Sequence, residues 1–204
     1  ETSKNIKKIS IKYCACKKKI VILQVKMQLS LNINNQLVDL SSPLVMAIVN
    51  ITPDSFYTSW GNTTLQDVLN RVQCLVDQGA DIIDIGACST RPGSIPVETE
   101  EEWSRLEPAL KAIRTHFPNA ILSVDTFRAE IAEKAILAGA DMINDVYGGN
   151  ADCKMWEVIA KHHVPYVLTC ACELPTDSKD YDYTMSYVVD FFQNKLDKLH
   201  RMGL

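Results

Sequence analysis

From Pro43 onward the apolar residues fall into short runs divided by longer amphipathic stretches, not into one continuous stripe. The runs at 45–50, 82–86, 121–125, 142–146 and 166–170 are five or six residues long, rich in Ile and Val, and predict buried strands. Between and after them, stretches near 64–78, 99–116, 128–138, 152–163 and 184–202 place apolar side chains three and four positions apart, which predicts helices. Thr63 and Gln66 stand at capping-box spacing ahead of the first helix. Gly79 and Gly139 are placed to end the first and third helices in the left-handed conformation. Upstream, residues 29–40 alternate apolar and polar around Asn34-Asn35, a pattern that predicts a hairpin.

The βα unit repeats. Gly-Ala-Asp-Ile-Ile-Asp at 79–84 is matched by Gly-Ala-Asp-Met-Ile-Asn at 139–144, two units later. Near-continuous apolar strands separated by helices imply a parallel sheet covered on both faces. Such a sheet is either doubly wound or closed into a barrel. Polar residues at the C-terminal ends of four successive strands, Asn50, Asp84, Asp125 and Asn144, favour the barrel, because there those ends converge on one mouth. The expected fold is therefore α/β, a TIM-type (β/α)8 barrel present as about five βα units and preceded by the hairpin. Five units fall short of eight, so the sequence is expected to be part of a longer one, and this stretch alone to be inactive.

Charge divides the chain unevenly. Residues 1–26 hold eight Lys and one Glu, a net +7, whereas the whole chain carries −4. That head has no Arg and only Tyr13 as an aromatic, so it is expected to be a disordered or non-native extension and not a nucleic-acid site; residues 27–204 form the domain. No apolar run approaches the roughly 18 residues of a membrane span, and 20–25 is short for a signal-peptide core. The expectation is a soluble, cytoplasmic protein that engages neither membrane nor nucleic acid. Seven cysteines without a secretory signal read as reduced thiols. Cys14/Cys16 and Cys170/Cys172 are C-x-C pairs, but structural zinc ordinarily uses wider spacing and two further ligands, so no zinc is expected.

Two long loops carry chemistry. After the first strand, Asn-Ile-Thr-Pro-Asp-Ser-Phe at 50–56 opens a connection of about thirteen residues, where βα loops usually have two to six. Turn-forming composition alone would explain its residue types, but not its length. The second, Gly-Ala-Cys-Ser-Thr-Arg-Pro-Gly at 86–93, combines small residues with Arg91, whose planar fork suits phosphate oxygens; an exposed loop arginine is the alternative. Asp125 and Asn144 sit at neighbouring strand ends, where each could instead cap the next helix. Side by side they make a reader for an aminopyrimidinone edge: a carboxylate accepting two N–H groups and an amide that donates and accepts.

Asn-Ile-Thr-Pro-Asp-Ser-Phe at 50–56, Asp-Ile-Gly at 84–86, Ser-Thr-Arg-Pro-Gly at 89–93, Ser-Val-Asp-Thr at 123–126 and Asn-Asp-Val-Tyr-Gly-Gly at 144–149 resemble dihydropteroate synthase, in that family's order and spacing. The resemblance spans about residues 43 to 204. It implies a transferase of folate biosynthesis that joins (7,8-dihydropterin-6-yl)methyl diphosphate to 4-aminobenzoate, giving 7,8-dihydropteroate and diphosphate. It further implies that Asn50 contacts a Mg2+ ion on the diphosphate and that Asp125 and Asn144 bind the pterin ring over Asp84. Thr90 and Arg91 would hold the diphosphate side, and Pro92 would lie near the aminobenzoate. Asp125, Arg91 and Asn50 are thus the expected catalytic residues, with small molecules as partners; a homodimer of the family's kind is left open.

The sequence departs from the family's pattern at Thr58, at Ala87 and Cys88 in the second loop, and at Leu168-Thr169-Cys170-Ala171 after the fifth strand. The family's late segments, an Asp-Pro-Gly-Phe-Gly-Phe run, a pterin-contacting Lys and a late Arg-x-His pair, are expected to lie beyond Leu204. Two other readings stay open at this point: a pterin-dependent methyltransferase and a non-catalytic pterin-site homologue.

Overall fold

A computed structural model describes residues 30–33, 36–51, 64–89, 97–170 and 181–204, with side chains of the last segment from Met185. The basic head therefore lies outside the described residues, as do Asn34-Asn35, Thr58, Thr63, Cys172 and the loop residues 90–96. β1 (Ser30–Ile33) and β2 (Gln36–Asp39) pair antiparallel, with Ile33 opposite Gln36, the hairpin expected from the alternation.

The remaining strands are β3 (Met46–Asn50), β4 (Ile82–Gly86), β5 (Ile121–Asp125), β6 (Met142–Asp145) and β7 (Tyr166–Leu168). They form one parallel sheet in the order β3-β4-β5-β6-β7. A helix follows each strand: α1 (Leu65–Asp77), α2 (Thr99–His116), α3 (Ala129–Leu137), α4 (Met155–His162) and α5 (Tyr181–Arg201). When every strand pairs with the next in sequence and each crossover has the usual right hand, the helices stack on the same face. A doubly wound sheet must reverse its strand order; this one does not, and the result is an open arc of a (β/α)8 barrel.

The core lies between the arc and its helices. Val49, Ile83, Ile85, Leu122, Val124 and Ile143 meet Val68, Val72, Leu106, Leu110, Ile113, Ile131, Met155 and Ile159 in one buried cluster. Burying each large aliphatic side chain contributes about 1.5–3 kcal/mol. The opposite, concave face carries the other strand residues. There the edge strand β3 leaves Ile48 62% exposed, whereas β4 between two neighbours is buried throughout.

Helix ends follow the local chemistry. The capping box of α1 sits one residue later than the Thr63/Gln66 pair expected. Thr64 is the N-cap, and Asp67 returns its carboxylate to the Thr64 N–H at 2.9 Å. Gln66 is drawn instead to Asn70, one turn along. The shorter Asp serves because its carboxylate also lies at the positive end of the helix dipole. Gly79 and Gly139 take positive φ after α1 and α3, as their positions required.

The repeated Gly-Ala-Asp has a shared task. Asp141 N–H donates to the Leu122 carbonyl at 2.8 Å, and its Oδ2 accepts from Leu122 N–H at 2.7 Å. Asp81 makes the same two-way link to Val45, at 2.9 and 2.7 Å. Each aspartate thus locks the start of its strand to the strand before it, and thereby sets the register of the rungs above. Asp141 is buried and also pairs with Arg114 at 2.6 Å, while Asp81 is exposed. Asp141→Ala is expected to lower the unfolding free energy by about 3 kcal/mol, since it removes the charge partner of a partly buried guanidinium and leaves the buried Leu122 N–H without its acceptor, and Asp81→Ala by about 1 kcal/mol. Urea denaturation of the two variants checks the order.

Candidate functional site

Register brings the polar strand ends together. Asn50 is the Cα partner of Gly86, Gly86 of Asp125, and Asp125 of Asn144, so four strands contribute to a single rung at the C-terminal end of the sheet. Residues in one rung of a parallel sheet point to the same face. The rung two residues earlier contains Ile48, Asp84, Ser123 and Met142, on that same concave face.

Asp84 forms the floor. It is 2% exposed; its Oδ1 accepts from Ser123 Oγ at 2.5 Å and its Oδ2 from Asn144 Nδ2 at 3.0 Å. That second bond fixes the Asn144 amide, leaving Oδ1 and one N–H for a ligand. Gly86 provides the space between the polar groups. A Cβ there would lie 3.2 Å from Asn50 Oδ1 and 3.4 Å from Asp125 Oδ2.

The site is electrostatically loaded. Burial pushes the Asp125 carboxyl up to about 7, and the charges of Asp84, Glu102 and Asp145 push it the same way. Burial also raises Asp84, against the two hydrogen bonds that favour its ionised form. Closely spaced carboxylates in a low-dielectric recess attract a partner that brings several N–H donors or positive charge.

Behind the rung, Asp145 faces the helices and is 1% exposed. It accepts from Tyr147 N–H at 2.9 Å, Gly149 N–H at 2.7 Å and Tyr166 Oη at 2.7 Å, and this shapes the loop that follows Asn144. Burial and the neighbouring Asp145 hold the Tyr166 phenol far above its ordinary value, so it remains a donor. Gly149, at φ +77°, has no room for a side chain: a Cβ would sit 2.3 Å from Trp156 Nε1. From α5, Lys195 donates to the Gly148 carbonyl at 3.0 Å and lies 4.7 Å from the Trp156 ring centroid.

Four of the residues expected from the sequence, Asn50, Asp84, Asp125 and Asn144, therefore share one concave surface. Thr90, Arg91 and Pro92 lie outside the described residues. Among the departures, Ala87 and Cys88 are buried directly beyond β4, and Cys170 is partly buried beyond β7. Sequence reading gave no role to Ser123 or Thr126 and took Gly86 only as one of the small residues of its loop, although Ser123 and Gly86 sit two residues from Asp125 and Asp84 and so on the same strand face. Glu102 and Arg128 were missed altogether, because an acidic residue in the first turn of a helix reads as a solvated charge. Among the described residues no three His, Cys, Asp or Glu groups gather as a metal cage. Asn50 offers a single neutral oxygen, a donor set that suits Mg2+ carried mainly by phosphate oxygens and water.

Comparison with known proteins agrees with this geometry. Residues 46–204 match the family described as pterin binding enzyme. The chain is 39% identical over 158 residues to the folic acid synthesis protein fol1 of Pneumocystis carinii, covering 78% of this chain and 21% of that protein. It is 40% identical over 146 residues to the dihydropteroate synthase of Clostridium beijerinckii, covering 72% and 52%. The structure of Xanthomonas albilineans dihydropteroate synthase with 4-aminobenzoic acid superposes with a TM-score of 0.73 at 35% identity, over 86% of this chain and 62% of that one. The chain thus spans about half, or less, of the length of the two curated relatives. With its family match over most of its length and the strand-end residues in one rung, the chain belongs to the pterin-binding enzymes, alongside the dihydropteroate synthases.

Proposed function

We propose that this chain carries the pterin-reading part of a dihydropteroate synthase, an enzyme of folate biosynthesis. The reaction joins (7,8-dihydropterin-6-yl)methyl diphosphate to 4-aminobenzoate and releases diphosphate. The observation that carries the reading is the shared rung of Asp125 and Asn144 above a buried Asp84. Asp125 accepts two ring N–H groups, Asn144 donates and accepts beside it, and Asp84 holds the amide in that orientation.

The chemistry asks for little else. Breaking the C–O bond leaves a cation spread over the pterin and a highly charged leaving group. Asp125 against the ring stabilises the first. For the second, Thr90 and Arg91 would supply donors, and Asn50 would help hold a Mg2+ ion, which when bound would neutralise diphosphate charge. Pro92 would lie near the aminobenzoate, as the family resemblance implies. An aryl amine is neutral at pH 7, so attack requires positioning more than a strong base. Among the described residues no helix is long and apolar enough to cross a membrane. Formation of dihydropteroate from the two substrates by the protein containing this chain is the direct test; pterin binding without turnover would favour the non-catalytic homologue.

Four outcomes are expected of the site. Asp125→Asn replaces an acceptor of two donors with a group that turns an N–H toward them, and weakens pterin binding by about a hundredfold or more in calorimetry. Pterin affinity also depends on pH. The ligand needs the Asp125 carboxylate, whose pKa lies at about 7, so affinity climbs with pH up to about 7 and levels above it. At pH 6 it is about tenfold below the plateau, and Asp125→Asn removes the slope. The sign for stability is opposite. The folded state holds that proton more tightly than the unfolded chain, so the ligand-free fold loses stability as pH rises from the ordinary value of 3.8 to about 7. Finally, Gly86→Ala crowds Asn50 and Asp125 and reduces pterin affinity about tenfold while circular dichroism stays that of the parent.

A further inference from the structure

A buried polar chain runs from α2 to the rung. Thr126, 2% exposed, follows Asp125 directly; its N–H donates to the Asn144 carbonyl at 3.0 Å and its Oγ1 donates to Glu102 Oε1 at 2.8 Å. The same Oγ1 accepts from Arg128 N–H at 3.3 Å. Glu102 is fully buried, and its second oxygen pairs with the Arg128 guanidinium, which also donates to the Val97 carbonyl ahead of α2. One threonine therefore bonds to both strand ends of the candidate site and to the helix packed behind them.

We infer that Thr126 is a positioning residue, braced by the Glu102–Arg128 pair, which sets the spacing between Asp125 and Asn144 for a planar heterocycle. This rests on the pterin reading above. Energetics support it over a purely stabilising role. An ion pair taken out of water gains little or nothing over apolar side chains of equal volume, because desolvation offsets the attraction. Stability alone would be served as well by a Leu and a Met. What those cannot do is supply an acceptor at one fixed point for the Thr126 hydroxyl. Thr126 has no free rotamer: its hydroxyl is engaged as donor and as acceptor, and its peptide N–H belongs to Asn144. A shift of either strand end must break one of these bonds.

The test uses the parent protein and measures its affinity for 6-hydroxymethyl-7,8-dihydropterin by calorimetry, well below every unfolding midpoint. Thr126→Val keeps the shape and removes the hydroxyl; affinity is expected to fall about three- to tenfold, the equivalent of one ordinary hydrogen bond. Thr126→Ser restores the hydroxyl and is expected to stay within about twofold of the parent, a rescue that loss of packing would not show. The double variant Glu102→Leu/Arg128→Met exchanges the pair for apolar side chains and is expected to lower affinity as Thr126→Val does. Combined with Thr126→Val it adds nothing further, since both remove the same brace. If Thr126→Val does not fold, the double variant alone decides. Parent-like pterin affinity in either folded variant overturns the brace and leaves the pterin reading standing. A parent that does not bind this pterin removes both.

Discussion

The site depends on one buried carboxylate reaching across a curved sheet. Asp84 stands on β4, yet it holds Asn144 on β6, two strands away, as well as Ser123 on β5 between them. Neighbouring strands are about 4.8 Å apart, so a flat sheet would keep β4 and β6 side chains beyond hydrogen-bond reach. The contact needs the concave face of a barrel arc and a side chain as small as serine in the middle. Curvature, the Ser123 hydroxyl and the orientation of the Asn144 amide are therefore one arrangement.

That arrangement reverses the usual economy of a strand. Apart from Asp145, the faces of β4, β5 and β6 that meet the helices are apolar and close-packed, whereas the concave face carries Asp84, Ser123, Asp125 and Asn144. Collecting carboxylates in a recess costs free energy, and the elevated Asp84 and Asp125 pKa values are its signature. A heterocycle that presents N–H donors to Asp125 repays the cost by replacing the missing water. A site built in this way prefers such a ligand over isosteres that lack donors, because they would leave the acceptors unmatched.

Rigidity comes from the layer behind. Asp145 and Tyr166 on one side of the rung, and Glu102, Thr126 and Arg128 on the other, use buried polar groups to pin backbone that would otherwise be loop. The duplicated aspartates Asp81 and Asp141 fix where their strands begin, and so which residues reach the mouth. Errors of one residue there would turn Asp125 and Asn144 into the hydrophobic core.

By itself the sequence determined the order and kind of the elements, since apolar runs of strand length alternate with amphipathic helical stretches and glycines stand where positive φ is required. It also determined that Asn50, Asp125 and Asn144 stand at or beside the ends of successive strands, with Asp84 two residues before the end of its own, which is a matter of position along the chain. Only the tertiary structure decided which of them stand opposite one another, because register needs strands to pair, helped by the links of Asp81 to Val45 and of Asp141 to Leu122. The same holds for Glu102, Thr126 and Arg128. Local pattern places a first-turn glutamate in solvent, and only the packing of α2 against the end of β5 turns it inward, where a buried charge must find its partners.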